Sequence, residues 1–371
     1  MPLDPDEEGL KQRFESAGSE HTERPRTRIL MIGPALDVKG GVSSVEIAII
    51  ENLSSEFEVD FLPSYTDTSR LRAGLMLLKA MAAIPFRAKM ADIVHIHFSK
   101  GGSTLRKAIL AKLVLLSRRP LVLHSHASSY AFYYELPGIA KAWVSSFLGS
   151  ARRFVALSES WAEKYAALGV PKGRIVVMPN PVVTPKDVEQ RQGRDTVTFV
   201  FLGEMGTRKG AFDLAEAFLR VSSERPQARL AMAGNGDVER VRHMVAGNGA
   251  ATIYGWIDAA ERDRLLRSAD VFVLPSFDEG LPMSMLEALG HALPPIVTPV
   301  GGIPEVIVDG RNGLMVAPGK VDEIAAAMIR LIDNPEERAA IGKAARATGE
   351  QYDVSQYVLK MRDLYTGLLE E

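Results

Sequence analysis

Two glutamates, Glu279 and Glu287, stand eight residues apart in the stretch PSFDEGLPMSMLEALGHALPPIVTPVG, residues 275–301. The apolar run VFVLPS that leads into them reads as a buried strand. Gly280 breaks it, and Pro282 suits the first turn of a helix continued by Met285, Leu286 and Leu289. The spacing predicts a strand, a tight loop and a helix. The first backbone N–H groups of such a helix have no internal partner and carry the positive end of its dipole, so they can hold an anion. Glu279 falls in the loop on one side of that anion site, and Glu287 lies roughly 7 Å along the helix on the other, at about 1.5 Å per residue. A ligand with a charged middle and hydroxyl groups at both ends fits this layout, as a sugar nucleotide would. A solvated glutamate at a strand end and another on a surface helix fit the spacing equally well.

Cations stand where such an anion would need them. Arg208 and Lys209 follow the apolar run TVTFVFLG and sit with Gly210 at a helix start, where they can neutralise a diphosphate and offset the repulsion of the two glutamates. Taken singly they are also an ordinary solvated basic pair. Gly40 and Gly41 let a backbone approach a phosphate closely, although any tight turn uses the same residues. His95 and His97 alternate on one apolar stretch and His124 and His126 on another, so a period of two puts each pair on one face of a strand. Four histidines could suggest zinc, but no carboxylate accompanies them, and strand-end histidines commonly hydrogen-bond polar ligands; no metal is expected. His97 and His126 each precede a loop, HFSKGG and HASS, and should reach a cleft.

The elements that must position these groups alternate along the chain. TRILMIG, FEVDFLPS, ADIVHIHFS, RPLVLHSHAS and RRFVALS read as strands between helical segments, and the first opens with a strand, a glycine loop and a helix. VMPNPVVTPKDVEQRQGRDT, with three prolines and many polar residues, reads as a linker. The pattern then restarts with TVTFVFLG, ARLAMAG, ATIYGW, ADVFVLPS and PPIVTPVG. This predicts two doubly wound α/β domains, over residues 27–183 and 184–350, facing each other across a cleft. A last helix over 351–371 could pack on either. Ligands of open parallel sheets bind beyond the carboxyl ends of the strands, where the glycine loops and Glu279 fall.

Length and composition agree with that division. A chain of 371 residues exceeds the size at which one core usually stops growing, and 46% hydrophobic with 24% charged residues is ordinary for a soluble globular protein. The absence of cysteine excludes disulfides and cysteine-based metal sites or nucleophiles, and is compatible with the cytosol. Residues 1–26 are polar, read as a disordered tail, and resemble neither a secretory signal nor a membrane span. The net charge of −2 hides an asymmetry: from Arg70 to Arg119 eleven cations face one acid, Asp92, leaving −12 for the remainder. Two segments of that window, LRAGLMLLKAMAAIPFRAKM and TLRKAILAKLVLLSRR, are amphipathic as well as basic. They can lie on an anionic membrane face, or pack their apolar sides on a sheet with the cations solvated. Nucleic acid is not expected, because no aromatic platform or basic recognition motif accompanies the charge.

The spacing of Glu279 and Glu287, the GLP-x-x-x-LEAL context, the following PVGGIPEVIVDGRNGLMVAPG, Lys209-Gly210 and the PNPV at 179–182 together resemble the family 4 glycosyltransferases. The resemblance is specific over the second domain and the last strands of the first, and looser over 27–120. It implies the GT-B fold, two Rossmann-like domains with the acceptor bound by the first and the nucleotide sugar by the second, and transfer with retention. It implies that Glu287 binds the ribose diol and Glu279 the transferred hexose. Backbone N–H groups at Gly280 and Leu281, with Lys209, would hold the diphosphate. By the same resemblance His126 lies beside the reacting sugar, Gly41 belongs to the loop closing over the phosphates, and Trp256 flanks the base. His97 and Lys100 fall on the acceptor side. One departure stands out: the family often has arginine directly after the glycine of FLG, and here that residue is Glu204, so Arg208 is left to supply the charge.

The chemistry implied is leaving-group stabilisation. Breaking the sugar–phosphate bond develops negative charge on a UDP or GDP leaving group, and Lys209, Arg208 and the helix start are aimed there. No aspartate cluster precedes the site, so protein cations stand in for a divalent ion and no cofactor is expected. Glu279→Ala and Lys209→Ala should each lower transfer severely while the fold persists. Two rivals use the same residues. A glycoside hydrolase needs two carboxylates flanking one bond, and a nucleotide-binding scaffold without activity is made conceivable by Glu204. The expected acceptor is a glycan or polyprenyl-linked saccharide in polysaccharide assembly. The expected location is the cytoplasm, with contact to the inner face of the plasma membrane through residues 70–119.

Overall fold

The computed structural model describes residues 26–54, 56–128, 131–188 and 195–371. Almost all of the tail expected over 1–26 lies outside these residues, as does part of the linker. Two six-stranded parallel sheets are formed. The first contains β1 Arg28–Gly33, β2 Glu58–Pro63, β3 Ile93–Phe98, β4 Leu121–Ser125, β5 Arg153–Ala156 and β6 Ile175–Val177, in the order β2-β1-β3-β4-β5-β6. The second contains β7 Val197–Leu202, β8 Ala228–Ala233, β9 Ala251–Ile253, β10 Val271–Leu274, β11 Pro295–Val297 and β12 Leu314–Met315, in the order β12-β11-β10-β7-β8-β9. Central strands such as β3 and β10 are buried along their whole length, which is why they read as continuous apolar runs rather than alternating ones.

Each sheet is covered by helices on both faces. One face of the first sheet packs under Ala80, Ile84 and Ala88 of the helix Arg70–Met90 and under Val144, Phe147 and Leu148 of the helix Gly138–Leu148. Its other face buries Ile29, Met31 and Ile93 against Val45 and Ile49 of the helix Gly41–Leu53. The same layer receives Tyr357, Met361, Leu364 and Tyr365 of the last helix, Val354–Glu370. The chain therefore returns to the first sheet at its end. Asp353 caps that helix and also accepts from the Thr184 backbone N–H at 3.1 Å, so the outward and return crossings between the sheets are tied together. Val182 and Val354 close the crossing with backbone bonds to Tyr352 and Val182.

Candidate active site

The loop after β10 carries Glu279 and is fixed from both sides. Thr298 donates to the Ser276 carbonyl at 2.5 Å, and the Phe277 N–H donates to the Arg208 carbonyl at 2.8 Å. Gly210, at φ +67°, lets the start of the helix Ala211–Glu224 approach so closely that a Cβ there would fall 2.1 Å from the Pro275 carbonyl oxygen. Gly301, at φ +58°, backs the loop in the same way, with a Cβ position 1.9 Å from the Glu279 carbonyl oxygen. Both positions need a left-handed backbone and no side chain. The loop then enters the helix Met283–Gly290, with Pro282 as its N-cap.

Glu279 is buried at 4% exposure and its Oε1 accepts from Lys209 Nζ at 2.5 Å and from Ser276 Oγ at 2.8 Å. Arg208 lies 4.0 Å from the same oxygen, donates to the Asp278 carbonyl at 3.3 Å and pairs with Glu204 at 3.0 Å. The residue that departs from the family pattern thus binds the arginine expected to replace it. Glu287 meets Arg262 at 3.2 Å. Burial pushes its carboxyl above the ordinary range, and the Arg262 guanidinium opposes that rise.

The first sheet supplies the facing wall. His126 follows β4 and bonds through Nε2 to His97 Nδ1 at 3.0 Å; burial pulls it down to about 4, with the Asn180 side-chain oxygen opposing as an acceptor, so it is neutral near pH 7. Lys100 reaches across to Asp278 at 3.3 Å. Asn180, within PNPV, donates to the Leu281 carbonyl at 2.9 Å, and Trp161 donates to the Gly280 carbonyl at 3.3 Å. The two walls therefore meet at the Gly280–Leu281 turn. The glycine loop needs no glycine for its own sake: Gly40 has open space where a Cβ would stand, and Gly41 meets only Met283 Cγ at 3.7 Å.

A cleft of about 500 Å³ lies between the walls, and it is lined by Gly41, Lys100, His126, Arg208, Lys209, Trp256, Glu279, Gly280, Leu281 and Glu287. Every residue that the family resemblance placed at the site is there except His97. His97 is fully buried beneath His126 and borders a second, smaller pocket instead. Arg262, Asn180 and Asn235 line the cleft as well and had no role assigned from the sequence, although Asn180 belongs to the PNPV motif. Arg262 sits on the charged helix Ala259–Ser268, which reads as a solvated surface helix, and Asn180 falls in a segment that reads as linker.

The other histidines lie deeper. His95 Nδ1 bonds the Tyr365 hydroxyl at 2.7 Å, and His95, His97 and His124 bring ring nitrogens within 4.8 Å of one another. That is the ligand type and number of a metal centre, but the rings stack, His95 on His124 at 5.4 Å and an interplanar angle of 7°, rather than converging on a point. Burial pulls His95 down to about 3 and holds His97 and His124 well below the usual histidine range. All three are neutral core residues at physiological pH.

The family description Glycosyltransferase Family 4 matches residues 51–185, and Glycosyl transferases group 1 matches residues 196–334, one on each side of the cleft. The chain is a family 4 glycosyltransferase. The sulfoquinovosyl transferase SQD2 of Arabidopsis thaliana is 31% identical over 167 residues, a match spanning 44% of this glycosyltransferase and 32% of that protein. The putative glycosyltransferase EpsD of Bacillus subtilis is 26% identical over 309 residues, 75% of this chain and 77% of its own. Among solved structures, Anabaena Alr3699/HepE in complex with UDP superposes with a TM-score of 0.73 at 17% identity, over 92% of this chain and 100% of that one. The last likeness establishes the GT-B fold of this glycosyltransferase.

Proposed function

We propose that this glycosyltransferase moves a hexose from a nucleotide diphosphate sugar to a glycan or polyprenyl-linked acceptor, with retention, in the assembly of a polysaccharide. The observation that carries the reading is the single cleft in which Lys209, Arg208 and the Gly280–Leu281 turn stand between Glu279 and Glu287. The diphosphate lies over the turn and the two cations, the ribose diol at Glu287, and the hexose at Glu279. Both contacts of Glu279 are made by Oε1, so Oε2 is the oxygen left for a sugar hydroxyl. Trp256, 48% exposed at the rim, is placed to flank the base. The UDP held by the Anabaena relative supports a nucleotide donor of this class.

In this reading the bond from the anomeric carbon to the phosphate oxygen breaks while the acceptor oxygen bonds the same face, and the acceptor proton passes to the leaving phosphate. No protein nucleophile is required. Negative charge grows on the diphosphate, and preorganised cations and N–H donors stabilise it there more than in the ground state. His126, being neutral, contributes hydrogen bonding rather than charge. Paired glutamates with adjacent cations have no use in a hydrolase, which needs its carboxylates on either side of one bond. A thermal-shift screen of UDP- and GDP-sugars tests the reading, since a ligand that binds only the folded state raises stability with its concentration over Kd. Stabilisation by one nucleotide series, followed by nucleotide release with an acceptor extract, is the expected result; no stabilisation by any of them contradicts it.

The same reading places the enzyme at the inner face of a membrane. None of the described helices is long and apolar enough to cross one. The helix Arg70–Met90, however, buries Ala80, Ile84 and Ala88, while Leu71, Leu78, Phe86 and Met90 are 61–75% exposed among its cations. Apolar side chains set among lysine and arginine suit a surface of anionic lipid. Sedimentation with anionic and neutral liposomes checks this, with salt-sensitive binding to the anionic ones expected.

A further inference from the structure

A second pocket of about 210 Å³ opens behind the glycine loop and shares Lys39, Gly40, Gly41 and Ser99 with the donor cleft. It belongs to the first-sheet wall. Its charged lining is Lys39, Arg106 and Lys107, and none of its described lining residues is a carboxylate. Arg106 lies 4.3 Å from the centre of the Tyr65 ring, and Lys39 lies 5.4 Å from that of Trp256; neither cation has a carboxylate partner among the described residues. Lys107 is 2% exposed and donates to Ser64 Oγ. The nearest acid behind it, Glu46, is fully buried with neither carboxyl oxygen hydrogen-bonded; burial raises Glu46 to about 8 and lowers Lys107 to about 7, each opposed by the other's charge, so the cations that the protein leaves unpaired at the pocket are Arg106 and Lys39. Packed against the Cα of Gly33, where a Cβ would fall 1.6 Å from its Oε1, Glu46 is held in place by the close fit.

We infer that this pocket is the subsite for an oxyanion, a phosphate or a carboxylate, carried by the acceptor and held by Arg106 and Lys107. The inference rests on the proposed transfer reaction, which puts the donor in the adjoining cleft and the acceptor on the first-sheet side. At about 210 Å³ the pocket falls below the roughly 300–1,000 Å³ of sites that enclose whole small-molecule ligands, so it is sized for a charged substituent of a larger molecule. Burial penalises the charged forms of both Arg106 and Lys107, and an incoming oxyanion offsets that penalty. Arg106, with its planar fork already set over Tyr65, is suited to grip two oxygens of one group. Two acceptors share this chemistry, a polyprenyl diphosphate saccharide and an acidic glycan.

Calorimetric titration of the full chain tests the subsite. UDP and GDP are titrated first. With the better-bound nucleotide saturating the donor cleft, farnesyl diphosphate, inorganic phosphate and glucuronate are then titrated in turn. At least one of the three is expected to bind, and Arg106→Gln is expected to weaken that binding at least about tenfold while Arg106→Lys, which keeps the charge and loses the fork, weakens it less and nucleotide affinity stays unchanged. Arg106 is half-exposed, so these variants should keep the thermal melt of the wild type, a check Lys107 variants would not pass as readily. Preference for farnesyl diphosphate assigns the oxyanion to a lipid-linked acceptor, and preference for glucuronate to an acidic glycan. If none of the anions binds the nucleotide-saturated wild type, or if binding is indifferent to Arg106→Gln, the subsite is overturned and the donor reading stands. If neither nucleotide binds, the donor reading itself fails and the subsite falls with it.

Discussion

Glu279 and Glu46 are both buried carboxylates beside the cleft, one on each wall, and their surroundings differ. Glu279 is met by Lys209 and Ser276, and on the same wall Glu287 meets Arg262 and Glu204 meets Arg208. Glu46 has no hydrogen-bond partner, only the charge of Lys107 acts on it, and the same wall carries Arg106 and Lys39 without carboxylate partners among the described residues and a stack of neutral histidines. The second-sheet wall is thus preorganised within the protein, whereas the first-sheet wall has polar capacity that the protein does not use. A preorganised wall suits a constant reaction with one kind of leaving group, and an unsatisfied wall waits for a partner from outside.

That contrast can be broken most forcefully with acid. His95, near 3, and His126, near 4, bind fewer protons folded than unfolded, where the ordinary value is 6.5, so their contribution is complete above about pH 6.5 and is lost as the pH falls. Each should withdraw about 2 kcal/mol of stability by pH 5, with His97 and His124 acting in the same direction. Glu46, raised to about 8, gains stability over the same interval, so denaturant melts at pH 7.5 and pH 5 are made on Glu46→Gln, where equal stability at both would mean that the histidine stack is not buried neutral. Next in size, Lys209→Ala should lower kcat/KM about 10²–10³-fold, because it removes a group placed on the developing charge. A drop of less than about threefold, with the fold intact by circular dichroism, would take Lys209 out of the chemistry. Glu287→Gln should weaken nucleotide binding about tenfold, the loss of one charge-assisted hydrogen bond, and leave a free sugar without effect on the difference. The smallest change is Glu204→Ala. It releases Arg208 from an exposed pair of the kind worth about 0.2–1 kcal/mol, so nucleotide affinity should rise only about two- to fivefold. Any fall in affinity would show that Glu204 holds Arg208 in its working position.

Much of this contrast was legible in the chain, for physical reasons that differ by element. Buried parallel strands such as IVHIHF and VFVL announce themselves as apolar runs ending at glycine or proline, and ten of the twelve strands follow from them. β6 and β12, three and two residues long at sheet edges, are the two that were not read. The donor wall was readable because its residues sit next to one another along the chain, in TRKG and in the loop and helix from Glu279 to Glu287. The placement of the last helix was not, because it depends on contacts such as Tyr365 with His95, made by residues 270 positions apart. The roles of Arg262 and of Asn180, the latter within the PNPV motif, were hidden for a related reason: each acts on a partner from another segment, Glu287 and the Leu281 carbonyl. His97, expected in the cleft, lies beneath His126 because strand alternation places the two rings in one stack, and only the outer one reaches the surface of the wall.

The central claim is that the paired wall is a nucleotide diphosphate site, and calorimetric titration of wild type and Lys209→Ala with UDP and GDP tests it most directly. The account predicts one nucleotide bound per chain by the wild type, with affinity reduced at least about tenfold in the variant. Failure of both nucleotides to bind the wild type, or binding that Lys209→Ala leaves unchanged, would contradict it.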